Sequence, residues 1–354
     1  MTENERTRRL LTEYCQAYPE LCVQDVFKFI YQSAFGCEHM VVSEEGATEY
    51  ILKEYENLSE KGDCGIEELD GDYVRVPLSY MKNGLSASTF AKLFVLSAKK
   101  ESDGYAKLLE KTAVALELVR RGRLPFGEKE FCSALSEWEK NGYSALHHSN
   151  SFREAYKPSY RVIAKEFAPF LPLFARVDSL LDKGRATVSV DGGSASGKTT
   201  LSSLLQKVYD CTVFHMDDFF LQPHQRTEER FAEIGGNIDY ERFLSEVLVP
   251  LGSGETVKYR KFDCSSASLG EVEYVTPKNA VFVEGAYSMH PTLEKYYDLS
   301  VFLDIYPKIQ RQRIEKRNSP AFAKRFFEEW IPLENIYFDK TDIKKRSDLI
   351  IEIK

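Results

Sequence analysis

The chain contains 354 residues, of which 43% are hydrophobic and 29% charged, a composition typical of a globular protein with two domains and not of a disordered or fibrous one. Its formal net charge of −8 argues against nonspecific binding to nucleic acid or to an anionic membrane surface. With seven cysteines but no Cys-x-x-Cys pair, no signal-peptide core and no run long enough to span a membrane, we expect a cytoplasmic protein with reduced thiols.

The first half of the chain is predicted to be mostly α-helical. Apolar residues recur at helical spacing over residues 5–58 and again over residues 87–121, where Gly122 suits a helix C-cap. A further helix is expected over residues 160–182. It completes a domain of residues 1–183, which we expect to cover an acceptor site or to regulate it.

A short β-hairpin interrupts these helices. Residues 72–78 alternate between apolar and polar side chains, which is typical of a strand, and we expect them to pair with residues 65–70. Upstream, Glu38 and His39 are adjacent and of metal-binding type, but no third ligand lies at helical spacing. We therefore expect a turn there, with the histidine held by hydrogen bonds.

One segment of the first half, residues 147–161, is rich in basic and aromatic side chains. It contains two histidines, two arginines, one lysine and three aromatic residues, together with Ser/Asn residues of helix-capping type. Such a cluster can hold an anionic or aromatic ligand. The alternative is a loop and helix start that tie the two domains together, with the aromatic rings packed and the basic tips in solvent.

The second half, residues 184–354, alternates between strands and helices, which predicts an α/β domain with a parallel sheet covered by helices on both faces. Ligands of such sheets bind beyond the carboxyl ends of the strands, so residues at those ends are the candidates for a site. The predicted strands are residues 186–190, 212–215, 280–283, 299–303 and 348–353.

A phosphate-binding loop (P-loop) follows the first of these strands. Gly192, Gly197, Lys198 and Thr199 fit the pattern Gly-x4-Gly-Lys-Ser/Thr, with an apolar strand before it and an amphipathic helix after it. Backbone N–H groups of such a loop surround phosphate oxygens, the lysine reaches the β- and γ-phosphates, and the threonine hydroxyl binds Mg²⁺. The predicted nucleotide-binding residues are Gly192, Gly193, Ser194, Ala195, Ser196, Gly197, Lys198, Thr199 and Thr200.

Acidic residues follow two other strands. Asp217 and Asp218 come directly after the second strand, where a carboxylate can act as general base or help to hold Mg²⁺. Glu284 ends the strand 280–283 and is followed by glycine, which is how a carboxylate is presented to a nucleotide-bound metal. Asp239 follows Gly-Gly-Asn-Ile and either accepts hydrogen bonds from a diol or caps the next helix.

Two arginines mark a candidate lid. Arg313 and Arg317 are four residues apart on the helix after the fourth strand, so they share a face and can bind phosphates as the lid closes. A basic helix face exposed to solvent is the alternative.

Residues 186–354 resemble the uridine kinase and phosphoribulokinase branch of the P-loop kinases. Beside the P-loop, the resemblance rests on short motifs that occur in the family's order. These are Asp217–Phe220 against Asp-Ser-Phe-Tyr, Asn237–Asp239 against Asn-Phe-Asp, Phe282–Gly285 against Phe-Glu-Gly, and Phe302–Asp304 followed by Arg313 and Arg317.

The resemblance implies a role for each matched residue. Asp217 is then the catalytic base beside Lys198, Asp239 a ligand of sugar hydroxyls, Glu284 an acid on the metal side, and Arg313 and Arg317 lid cations. The segment that begins at Tyr259 aligns with the family's base-recognition stretch and is assigned to the acceptor, although the family's histidine is missing. Gln310 also stands where the family tends to carry an arginine.

The predicted activity is transfer of the γ-phosphoryl group of ATP, with Mg²⁺ as cofactor, to a hydroxyl of a nucleoside-like or sugar-like small molecule. No nucleic-acid or membrane partner is expected. The alternative is a nucleotide-dependent switch or ATPase whose first domain signals to a protein partner, and it is distinguished by the lack of a working base at Asp217.

Overall fold

The computed structural model describes residues 2–37, 43–58, 65–98 and 103–354. The chain divides into two compact units, Met1–Leu171 and Pro172–Lys354. The helix before the large sheet, Leu171–Leu181, therefore belongs almost entirely to the second unit. The domain limits predicted from the sequence stay a prediction. The Glu38-His39 pair lies outside the described residues. No helix in the described parts of the chain is both long and apolar enough to cross a membrane.

The first unit is mostly helical, as the apolar spacing predicts. Its first helix starts with a capping box in which the Thr2 side chain and the Glu5 side chain each bind the other's backbone N–H, and it buries Leu10, Leu11 and Tyr14. The described helices are α1 (Glu3–Ala17), α2 (Val23–Phe35), α3 (Glu44–Glu56), α4 (Ala87–Ala98), α5 (Gly104–Arg120), α6 (Glu128–Lys140) and α7 (Asn150–Tyr156).

A three-stranded antiparallel sheet accompanies these helices. The predicted hairpin is present as β1 (Glu67–Glu68) and β2 (Tyr73–Pro77), and β2 also pairs with β3 (Tyr160–Ala164). The prediction of a helix over residues 160–182 is therefore wrong at its start. Val162 and Ile163 are β-branched and buried, and pairing of this strand with β2 overrides an apolar spacing that also fits a helix.

The second unit begins with a helix that leads into the large sheet. Several of its helices are short, and π-helical turns at residues 244–248 and 326–330 join consecutive ones. The helices are α8 (Leu171–Leu181), α9 (Lys198–Val208), α10 (Glu228–Ala232), α11 (Tyr240–Phe243), α12 (Val249–Ser253), α13 (Pro307–Arg317), α14 (Pro320–Arg325), α15 (Ile331–Thr341) and α16 (Ile343–Arg346).

The large sheet has the predicted parallel pairing, with strand order β10-β9-β4-β8-β5. The P-loop strand thus lies at its centre. An antiparallel hairpin of β6 and β7 lies outside this sheet and was not predicted, although Val257, Tyr259 and Phe262 are buried in β6 while the residues between them are exposed. The strands are β4 (Ala186–Gly192), β5 (Cys211–His215), β6 (Val257–Asp263), β7 (Ser268–Val275), β8 (Ala280–Glu284), β9 (Leu299–Ile305) and β10 (Leu349–Ile353).

Candidate active site

Backbone geometry explains the glycines of the P-loop. Gly192 has φ +148°, and a Cβ added to it would lie 2.6 Å from the carbonyl oxygen of Leu303 on the neighbouring strand. Gly197 has φ +103° and is the N-cap of α9. Side chains rarely tolerate either conformation, so these two positions require glycine. The loop therefore turns sharply from β4 into α9.

The loop is arranged to receive an anion. Helix α9 begins at Lys198, so its first N–H groups have no carbonyl partner within the helix and lie at its positive end. The Lys198 Nζ donates hydrogen bonds to the carbonyl oxygens of Gly192 (2.7 Å) and Gly193 (3.1 Å). The ammonium group is thus folded back across the loop, within the positively polarised region that phosphates prefer.

Strand register brings the acidic residues to the same edge of the sheet. Glu284 at the end of β8 is paired in register with Val190 of β4 on one side and with His215 of β5 on the other. Its carboxylate Oε1 accepts a hydrogen bond from the Thr199 hydroxyl at 3.3 Å. The predicted pair of Mg²⁺ ligands, Thr199 and Glu284, is therefore assembled beside the P-loop.

His215 is a neighbour of this pair that sequence reasoning did not identify. Its Nδ1 lies 2.6 Å from Glu284 Oε1, and this hydrogen bond raises the pKa of the imidazole. The signal was present in the sequence, because the residue ends the strand just before the acidic pair. Only the register, however, shows that it contacts the carboxylate on the adjacent strand.

Asp217 lies within electrostatic reach of Lys198, Glu284 and Arg317. Its side chain is open to solvent, but protein atoms crowd around it, and the resulting loss of hydration raises the pKa of its carboxyl group. The cations Lys198 and Arg317 act in the opposite direction. Asp218, its neighbour, faces the hairpin instead, where its carboxylate lies 3.9 Å from the Lys261 Nζ.

The two residues assigned to the acceptor are both buried. Asp239 is 3% exposed and caps α11, accepting hydrogen bonds from the Arg242 N–H (3.1 Å) and from the Gln225 amide (2.9 Å). Tyr259 is 6% exposed and stacks on Phe219 with ring centroids 5.6 Å apart. The capping interpretation of Asp239 is thus present in the structure, while a substrate role for either residue stays a prediction.

The candidate lid helix α13 contacts the P-loop. Arg313 Nη1 donates to the carbonyl oxygens of Ala195 (3.1 Å) and Ser196 (3.3 Å), and the Gln310 amide donates to that of Ser194 (2.9 Å). Gln310 therefore takes part in holding the loop although it departs from the family pattern. Arg317, one turn further on, is the lid cation that lies near Asp217.

Two further acids at the loop were not predicted. Asp191 is fully buried and accepts hydrogen bonds from the N–H groups of Gly192 (2.7 Å) and Met289 (3.0 Å) and from the Tyr337 hydroxyl (2.9 Å). Burial raises its pKa to about 6. Glu334 of α15 accepts hydrogen bonds from Ser194. The position of Asp191 within an apolar strand could have indicated a special role, whereas no local sequence pattern distinguishes Glu334.

The oxygen chemistry of the site fits Mg²⁺. Within the described residues there is no group of three or more His, Cys, Asp or Glu side chains that could enclose a metal ion. Mg²⁺ is bound by few protein oxygens together with water and nucleotide phosphates, so a threonine hydroxyl and one carboxylate are suitable ligands. Thr199 and Glu284 supply these.

The basic and aromatic segment 147–161 packs within the first unit. His148 lies with Nδ1 2.8 Å from Asp25 Oδ1 and Nε2 2.7 Å from the Tyr160 hydroxyl, and its ring stacks on Phe152 at 4.1 Å. Arg161 forms an ion pair with Glu54 at 2.7 Å. The described contacts of His148 and Arg161 thus lie inside this unit, so the structure gives no support to the interpretation of these two residues as a tie between domains.

The second half of the chain is similar to known proteins. Residues 187–318 match the model of the Phosphoribulokinase / Uridine kinase family. The second half is thus similar to this family over those residues. The uridine kinase of Macrococcus caseolyticus is 27% identical over 182 residues, which are 46% of this chain and 86% of that protein. Uridine kinase-like protein 4 of Arabidopsis thaliana is 28% identical over 142 residues, and the match covers 37% of this chain but only 30% of that longer protein.

Among solved structures, that of a possible uridine kinase from Bacillus stearothermophilus aligns with 51% of this chain and 98% of its own, at 21% identity and a TM-score of 0.37. The parallel sheet, the P-loop and the family match agree on a P-loop kinase domain in the second half.

Proposed function

We propose that the protein transfers the γ-phosphoryl group of ATP to a hydroxyl group of a small polar metabolite that is nucleoside-like or sugar-like. The observation that carries the proposal is the register of β4, β8 and β5, whose carboxyl ends lie side by side. The register brings the Thr199–Glu284 pair beside the P-loop, and Asp217, just beyond β5, lies within electrostatic reach of Lys198 and Glu284. These are the parts that phosphoryl transfer requires: an anion cradle, metal ligands and a base.

The P-loop and Lys198 are proposed to bind the triphosphate and to stabilise the charge that develops on the transferring group. Fixed N–H groups and an ammonium group do this without reorganisation during the reaction. Thr199 and Glu284 would hold Mg²⁺, which shields the charge of the phosphates when it is bound. Arg313 and Arg317 of α13 would approach the same phosphates as the lid closes.

Asp217 is proposed to be the general base. Its carboxylate takes the proton of the acceptor hydroxyl while the acceptor oxygen forms its bond to the γ-phosphorus and the bond to the bridging oxygen of ADP breaks. Loss of hydration from the surrounding protein atoms raises the pKa of this carboxyl group, which makes the carboxylate a stronger base than a fully hydrated one. Lys198 and Arg317 limit that rise, and they favour the ionised form that the reaction needs.

The proposed acceptor class is supported by the similarity to the family model and to relatives that include uridine kinases. The missing histidine in the segment after Tyr259 makes pyrimidine recognition a point to test separately. Purified full-length protein with ATP, Mg²⁺ and a panel of nucleosides, sugars and sugar phosphates should yield a phosphorylated product from one class, detected by mass spectrometry. ATP hydrolysis without a product from any acceptor would favour a nucleotide-dependent switch or ATPase instead.

A further inference from the structure

Side chains from the region that follows β9 form hydrogen bonds to the P-loop backbone. Gln310 and Arg313 of α13 donate hydrogen bonds to three consecutive loop carbonyls, those of Ser194, Ala195 and Ser196. These contacts use loop carbonyl groups and not the loop N–H groups, of which that of Ser194 donates to Glu334. Hydrogen bonds to backbone carbonyls add no positive charge to the cradle, so their effect is geometric.

The apex of the loop adopts a strained conformation. Ala195 has φ +61°, in the left-handed region that is unfavourable for a residue with a side chain. Its methyl group packs against an apolar cluster of the same region, formed by Ile314, Ala323 and Phe326. Strain of this kind persists only where surrounding contacts determine the backbone, and here those contacts come from α13 to α15.

Glu334 makes the most specific of the contacts with the loop. It lies on α15, is 5% exposed, and accepts hydrogen bonds from both donors of Ser194: the backbone N–H at 2.8 Å and the hydroxyl at 2.6 Å. A buried carboxylate beside a phosphate-binding loop is costly, and burial raises its pKa. Tyr337, one turn along the same helix, binds Asp191 at the base of the loop. Helix α15 therefore contacts the loop at two points.

We infer that Glu334 is a positioning residue for nucleotide binding, which acts through Ser194 to hold the P-loop in its phosphate-binding conformation. The inference rests on the proposed function only in requiring that the loop binds a nucleoside triphosphate. With Ser194 held by Glu334, the loop does not have to be ordered when the nucleotide arrives, and preorganisation of this kind increases affinity.

Electrostatic repulsion between the Glu334 carboxylate and the triphosphate acts in the opposite direction. Two donors from Ser194 and the nearby charge of Lys198 compensate the carboxylate, so we expect the geometric effect to be the larger. The two effects predict opposite changes in affinity when the side chain is removed. The sign of the change therefore decides between them.

The test is titration of the full-length protein with a fluorescent ATP analogue in the presence of Mg²⁺. Glu334→Ala should raise the Kd about tenfold, the change that corresponds to loss of one strong hydrogen bond. Glu334→Gln should stay within about threefold of wild type, because the amide can accept from the Ser194 N–H and donate to its hydroxyl. Glu329→Ala, which removes an exposed acid paired with Arg325, is the matched control and should leave the Kd unchanged.

A double-mutant cycle separates a positioning role from a general loss of stability. Ser194→Ala should weaken binding about threefold in the wild type and have no further effect when Glu334 is already alanine. Unchanged or tighter binding by Glu334→Ala, or additive effects of the two substitutions, would overturn the inference while leaving the proposed function intact. Failure of the wild-type protein to bind the analogue would overturn both.

Discussion

At the scale of single residues, the candidate site depends on where charge is placed and how it is compensated. Lys198 lies across the P-loop, Glu284 is held between Thr199 and His215, and Asp217 lies within the field of both Lys198 and Glu284. Each carboxylate thus has a different environment. The Glu284 carboxylate is engaged by hydrogen bonds and suits a metal ligand, whereas the Asp217 carboxylate is open to solvent and suits proton transfer.

Asp217→Asn tests this assignment. We expect product formation to fall by a factor on the order of 10²–10⁴, the usual contribution of a general base, because an amide cannot take the hydroxyl proton. Binding of the nucleotide analogue should persist, since Lys198 and the loop remain. Asp210→Asn changes an acid that is 81% exposed in its side chain and serves as the control. Unchanged turnover in Asp217→Asn would argue for a switch or ATPase without a base.

At the scale of secondary-structure elements, strand β3 and helix α7 show how the first unit is held together. His148 precedes α7 and is 7% exposed between Asp25 of α2 and Tyr160 of β3. A neutral imidazole satisfies both partners when Nδ1 donates to the carboxylate and Nε2 accepts from the hydroxyl. Burial lowers the pKa of His148 to about 4, so the folded protein keeps it neutral. Within the segment 147–161, His148 thus belongs to a buried polar network.

This network predicts acid sensitivity of the first unit. The unfolded chain binds a proton to His148 near its ordinary pKa of 6.5 and the folded one only near 4, so the contribution to stability is complete above pH 6.5 and is lost as the pH falls towards 4. The loss is on the order of 3 kcal/mol, from about 2.5 pKa units at roughly 1.4 kcal/mol each.

The measurement is the unfolding midpoint from Trp138 fluorescence in a Trp330→Phe background, because the sequence contains only two tryptophans. His148→Gln should show a smaller fall in midpoint between pH 7 and pH 4 than the wild type. His147→Gln, at the exposed neighbouring position, should behave like the wild type. Parallel pH curves for all three proteins would contradict a neutral buried His148.

At the scale of the whole molecule, the chain consists of two compact units, and the kinase motifs are confined to the second. Each unit has its own set of fully buried side chains, such as Phe27 and Phe131 in the first and Phe214 and Phe282 in the second. A ligand stabilises the structure that binds it, by an amount set by its concentration relative to Kd. Nucleotide binding should therefore stabilise the second unit selectively.

Hydrogen exchange of the full-length protein tests this expectation. At about 100 times Kd, MgATP should stabilise the second unit by about 2.7 kcal/mol, which slows exchange of its most protected amides about 100-fold. Peptides from β4 and α9 should show the effect, and those from α1, α2 and α5 should change much less. Lys198→Ala should abolish the protection. Equal protection of both units would instead indicate that the first unit takes part in binding.

The sequence by itself determined the features that depend on local geometry. The P-loop glycines are required by backbone conformations that only glycine tolerates, and the five parallel strands follow from apolar runs separated by helical spacing. The acids at the strand ends could likewise be found, because parallel strands end at one edge of the sheet. Each of these depends on a few consecutive residues.

Tertiary structure decided the contacts between distant parts of the chain. Residues 194 and 334 are 140 positions apart, and only packing of α15 against the loop brings them together. The pairing of β3 with β2, the contact of His215 with Glu284 and the burial of Tyr259 have the same origin. Local patterns fix backbone conformation and the faces of an element, whereas register and the packing of elements fix which side chains meet, and one sequence carries no direct record of those pairs.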